Sequence, residues 1–189
     1  CFGNDWVSIG IFTACIIFPV SILVDGSLTK IERDRIFVIY IIAFFVIFFW
    51  AAYEQAGASL TLFAAEQTDR TIFGWEMPAS WIQSFNPFFV VILAAIMPSV
   101  WGALNKRGME PASPTKQAIG LLLLSLGYLV ICFGVKDVQP GVKVSLIWLT
   151  GLYFIHTMGE IALSPIGLSM VNKLTPVRFA SLMMGIWYL

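Results

Sequence analysis

The chain has 189 residues, 59% of them hydrophobic and only 12% charged, with formal net charge zero and a mean hydropathy of +0.86. Soluble domains carry about 25% charged residues, so this composition excludes an ordinary soluble domain and points to an integral membrane protein. Neutrality, and the lack of a basic tract interleaved with aromatics, argue against a nucleic-acid partner.

Spanning a hydrocarbon core of about 30 Å takes roughly 20 apolar residues. The first apolar run, residues 7–24, is marginal in length, carries Pro19, and fits a spanning or a peripheral helix equally. A mixed-sign stretch follows, Lys30 to Arg35, which reads as a solvated or lipid-facing loop. The second run, residues 36–63, is long enough to cross with tilt. The third, residues 81–104, contains Pro87 and Pro98. The fourth, residues 117–135, is uninterrupted, with Gly120 and Gly127 spaced for close helix contact. The fifth, residues 144–171, contains Glu160 and Pro165, and a sixth begins near Arg178.

Lys30, Arg33, Arg35, Lys106, Arg107, Lys116, Lys173 and Arg178 fall in loops of one side, while Arg70, Lys136 and Lys143 fall on the other. The excess assigns the first group to the cytoplasm, so the second run leads outward and the third inward. Trp75, Trp81 and Trp101 sit near the ends of the third run, as an interfacial belt would. Cys1 is not an initiator, and the chain stops inside an apolar segment at Trp187-Tyr188-Leu189. The sequence therefore reads as an internal piece of a larger polytopic protein. Cys15 and Cys132 lie in apolar runs without a Cys-x-x-Cys pair and read as buried thiols, with no metal or disulfide role.

Two acids interrupt these runs. A carboxylate deep in a span costs roughly 2.5–3.5 kcal/mol on insertion scales, and such residues usually face a partner or a water-filled path. Glu54 follows Trp50 by one helical turn and Ala58 follows Glu54 by another, which places all three on one helical face. In low dielectric Glu54 is a candidate proton carrier or gate; the competing reading is an ion pair that locks two helices. In the fifth run His156, Glu160 and Ser164 stack on one face, and Pro165 leaves the carbonyl of Ile161 without its helical donor. Broken polar helices of this kind line cavities. Glu160 is suited to hold a cationic group such as an amine, with a helix–helix ion pair as the alternative. His156 reads as a packing residue. Asn86 before Pro87 brings an amide that both donates and accepts, or marks a plain kink. Asp69 and Arg70 read as a solvated pair. Channel filter repeats are absent, and a single His with no Gly-x-Ser-x-Gly gives no enzyme centre. Transport is the function these features favour, with a structural membrane subunit as the other class.

The strings Phe49-Trp50-Ala51-Ala52-Tyr53-Glu54-Gln55, Asn86-Pro87, Gly159-Glu160 through Ser164-Pro165-Ile166-Gly167-Leu168, and Met184-Gly185-Ile186-Trp187 resemble the proton-dependent oligopeptide transporters of the major facilitator superfamily. The resemblance covers essentially the whole chain and is closest to bacterial members. It implies an all-α membrane fold of two six-helix bundles, of which this chain matches helices seven to ten and part of eleven. Residues 1–35 then match an inter-bundle helix and cytoplasmic linker, and residues 36–189 part of the C-terminal bundle. It also implies proton-coupled symport of di- and tripeptides across the inner membrane by alternating access, with the proton as coupling ion and no other cofactor. Another small solute on the same fold is the alternative. By resemblance Glu54 is the coupling acid that pairs with an arginine of the first helix. Trp50, Asn86, Glu160, Ser164 and Trp187 line the peptide site, Glu160 taking the peptide's amino terminus. The partners implied are peptide, protons, lipid bilayer and the N-terminal bundle of the same protein. The peptide carboxylate and part of the proton relay belong to that other bundle, so this chain alone is expected not to transport.

Overall fold

The computed structural model describes residues 6–136 and 142–188. Among them, five helical stretches are long and apolar enough to cross a membrane: Trp6–Val24, Lys30–Glu66, Ala79–Lys106, Ser113–Val135 and Leu146–Leu174. The helices are α1 (Trp6–Val24), α2 (Lys30–Tyr53), α3 (Ser59–Glu66), α4 (Phe85–Lys106), α5 (Ser113–Val135), α6 (Leu146–Leu174) and α7 (Ala180–Tyr188). Two compact units divide the chain, one comprising the residues up to Val46 and from Gly167 on, the other Ile47–Ile166.

In the first unit, α1 buries only Ile22 and presents Phe12, Ile16 and Ile17 outward, the surface a bilayer would solvate. The core is formed by Ile22, Leu28, Ile36, Ile39, Met170, Val171 and Met183. Lys30 to Arg35 is not a loop but the opening of α2. The cause is a capping box: Glu32 Oε2 accepts the Thr29 amide at 2.9 Å, and Thr29 Oγ1 accepts the Glu32 amide at 3.3 Å. Before it, the Ser27 amide and hydroxyl bond to Asp25, holding that carboxyl below its usual range. Arg178 closes the same corner, donating to Ser27 O at 2.8 Å and to Glu32 Oε2 at 3.2 Å.

In the second unit the helix of the second run breaks where the acid sits. After Tyr53 the backbone tightens into a 3₁₀ turn, Glu54–Gly57, and restarts as α3 beyond Ala58. Glu54, one turn after Trp50 along α2, keeps its face, whereas Ala58 does not, because the α-helical register ends at Tyr53. Tyr128 of α5 donates to the Ala52 carbonyl at 2.6 Å, supplying a donor to a helix end that has lost its own. A hairpin of β2 (Thr71–Ile72) and β3 (Trp75–Glu76) turns at Phe73 and Gly74, both at positive φ, and β1 (Thr68–Asp69) pairs in parallel with β4 (Val144–Ser145). Here the expectation of a solvated Asp69–Arg70 pair fails. Arg70 turns inward to Glu76 Oε1 at 2.8 Å and to the Met77 carbonyl, its side chain only 12% exposed. Asp69 instead caps the Thr71 amide at 3.0 Å, which holds its carboxyl below the usual range.

Pro87 falls in the first turn of α4, where a missing N–H costs nothing, so the bend lies before it in the 3₁₀ turn Ala79–Ser84. Pro165 does not break α6, which runs unbroken from Leu146 to Leu174. The α5–α6 contact is set by glycine. A Cβ on Gly120 would lie 2.9 Å from the Gly159 carbonyl, one on Gly127 would strike the His156 ring, and one on Gly134 would meet Trp148. The expected close approach at Gly120 and Gly127 is thus present and extends one heptad further. Cys15 and Cys132 are free thiols on exposed helix surfaces rather than buried ones, since their apolar runs face outward.

Candidate functional site

The site is built at the end of α2. Phe49 is fully buried; the Tyr53 ring stacks on it at 5.5 Å, and Trp50 stands edge-on to both, also at 5.5 Å. From the last residue of α2, the Tyr53 hydroxyl meets side chains of α4 and α6. It donates to Glu160 Oε2 at 2.5 Å. Asn86, the second residue of α4, donates to the same Glu160 oxygen at 2.8 Å, reaches Thr157 Oγ1 at 3.2 Å, and contacts the Tyr53 oxygen. Thr157 donates back to the Tyr153 carbonyl at 2.7 Å, which leaves its lone pairs free to accept from Asn86.

Asn86 and Glu160, far apart in sequence, therefore meet. Trp50 is half-buried beside them, through Tyr53. Ser164 lies one turn along α6 from Glu160; its hydroxyl is enclosed and has no hydrogen-bond partner among the described residues. Glu54 is exposed on its 3₁₀ turn, and no described residue bonds to it. Trp187 belongs to the first unit, where it packs on the Ile22–Met183 core. His156 has a packing role: Nε2 hydrogen-bonds the Leu124 carbonyl at 3.1 Å, and the ring abuts Gly127. Tyr53 and Thr157 were not singled out from sequence. Their signal was spacing, Tyr53 one turn after Trp50 and Thr157 one turn before Glu160.

Electrostatically the cluster is unusual for a half-buried acid. The ion pairs among the described residues are Arg70–Glu76, Lys116–Glu110 and Arg178–Glu32, and none involves Glu160. Its carboxylate is held by neutral donors, so the helix–helix ion pair considered above is not formed with any described residue. Such an arrangement orients a negative charge without neutralising it, which is what capture of a cationic ligand requires. No trio of His, Cys, Asp or Glu gathers as a metal site among the described residues. A separate cavity of about 460 Å³ is lined by Trp81, Phe85, Phe88, Phe89 and neighbours, and the polar cluster does not line it.

Apolar spans that enclose an oriented carboxylate and amide define a multi-pass, all-helical membrane protein with a polar site between its helices. The chain belongs to the POT family, whose model matches residues 7–189. It is 37% identical over 165 residues to the peptide transporter YePEPT of Yersinia enterocolitica, covering 86% of this chain and 32% of that protein. It is 32% identical over 157 residues to dipeptide and tripeptide permease A of Escherichia coli, covering 83% and 31%. The crystal structure of a mutant peptide transporter POT in complex with alafosfalin superposes with a TM-score of 0.80 at 35% identity, covering 97% of this chain and 39% of that one. The fold is therefore the POT fold of the major facilitator type, and the chain spans about a third of the length of the curated relatives it matches.

Proposed function

We propose that the protein carrying this chain is a proton-coupled symporter of di- and tripeptides in the inner membrane, a secondary carrier rather than an enzyme. Within it, this chain supplies helices seven to ten and part of eleven of the C-terminal bundle, with α1 as the inter-bundle helix and a linker that ends where α2 opens at Lys30. The observation that carries the reading is the Glu160 carboxylate, oriented by Tyr53 and Asn86 with no described cation beside it. A peptide's amino terminus is the cation it would take, whereas an anionic substrate would be repelled. Asn86, Trp50 and Ser164 serve as further substrate contacts. The names of the relatives support peptide as the cargo.

Glu54 is the coupling acid in this reading. Exposed at a helix break and unpaired among the described residues, it is free to meet a cation from the N-terminal bundle. Protonation weakens that pair, and peptide binding at Glu160 favours rocking of one bundle against the other around the site. The test is uptake of a labelled dipeptide into liposomes holding the whole protein, with and without an inward proton gradient. Gradient-driven accumulation is expected, abolished in Glu54→Gln while counterflow exchange persists. Uphill uptake retained in that variant removes Glu54 from coupling, and absence of peptide uptake in folded protein removes the substrate assignment.

A further inference from the structure

The two oxygens of Glu160 are treated differently. Oε2 accepts both the Tyr53 hydroxyl at 2.5 Å and Asn86 Nδ2 at 2.8 Å, whereas Oε1 accepts nothing among the described residues. A carboxylate oxygen offers about two lone-pair sites, so Oε2 is filled and Oε1 is open. The phenol is itself fixed, stacked on Phe49, edge-on to Trp50, and in contact with Asn86 Nδ2. We propose that Tyr53 is a positioning and specificity residue. With Asn86 it saturates Oε2, so that Glu160 receives one compact ammonium through Oε1 and offers no two-oxygen fork to a guanidinium. This rests on the reading of Glu160 as the amine anchor.

Tyr53→Phe keeps the ring and its stacking and deletes only the donor. That bond lies within the protein, so its loss acts through the orientation of Glu160, and a misplaced anchor is expected to raise KM for a free-amine dipeptide about tenfold with Vmax unchanged. Inhibition by the N-acetylated dipeptide should stay as in the parent, and it serves as an internal control for folding. Discrimination between the dipeptide and its N-guanidinylated analogue should narrow as Oε2 is freed. Equal changes for free and acetylated peptides, or no change in either, overturn the proposal. Glu160→Gln, run alongside, separates the two claims. If it loses preference for the free amine while Tyr53→Phe keeps it, the anchor stands and the role of Tyr53 falls. If Glu160→Gln also keeps the preference, the anchor falls and the role of Tyr53 with it.

Discussion

Gly127 has no room for a side chain. A methyl there would collide with the His156 ring, whose Nε2 is committed to the Leu124 carbonyl, so the ring cannot step aside without losing a buried hydrogen bond. Gly127→Ala is expected to destabilise by about 1–3 kcal/mol, the usual range for overpacking. Gly102 on α4 is the control, since nothing lies within 4 Å of its would-be Cβ. There the substitution should be neutral or stabilise by up to about 1 kcal/mol, because alanine loses less backbone entropy in a helix than glycine. Thermal unfolding of the two variants in one detergent checks the contrast, and equal melting points would refute it. The same scale explains why His156 packs while Glu160 joins the polar cluster. They are one turn apart, yet one ring is closed against α5 and the other side chain meets α2 and α4.

At the scale of elements, two helix ends decide the local architecture. α2 starts where Thr29 and Glu32 satisfy each other's amides, and this draws a stretch of mixed charge into helix. Thr29→Ala removes the cap and should cost about 0.5–2 kcal/mol, read as a lower melting point and loss of amide protection at Glu32 and Arg33 by hydrogen exchange. Protection unchanged in that turn would mean that the tertiary contacts of α2 hold it without the cap. The other end carries Tyr53 into the polar cluster. Past Tyr53 the second run does not carry straight on as an α-helix. The 3₁₀ turn instead leaves Glu54 exposed, while the Ala52 carbonyl is served from α5 by Tyr128.

For the whole molecule, the site has one oriented acid and no described group suited to a peptide carboxylate near it. The curated relatives are about three times the length matched, with the chain covering 32% of YePEPT. These 189 residues expressed by themselves in liposomes are therefore expected to show no gradient-driven dipeptide uptake, while the whole protein does. Uptake by the isolated stretch would show that a second bundle is dispensable, and would undo the assignment of the carboxylate end of the site to it.

The sequence by itself determined the membrane class, the number and order of the spans, the family, and the meeting partners Glu160 and Asn86 as candidates. The start of the second span lay six residues before the apolar run, at Lys30. Hydropathy and composition act locally and add up along the chain, which makes them legible in one dimension. Only tertiary structure decided that the second run breaks at Glu54, that Pro165 is absorbed into an unbroken α6, and that Arg70 turns inward. These depend on which distant group supplies a missing donor or acceptor: Tyr128 for Ala52, Met77 and Glu76 for Arg70. Tyr53 shows the limit most clearly. Its ring was visible as one more aromatic in an apolar run, but its hydroxyl acquires a role only when α4 and α6 bring Asn86 and Glu160 to it.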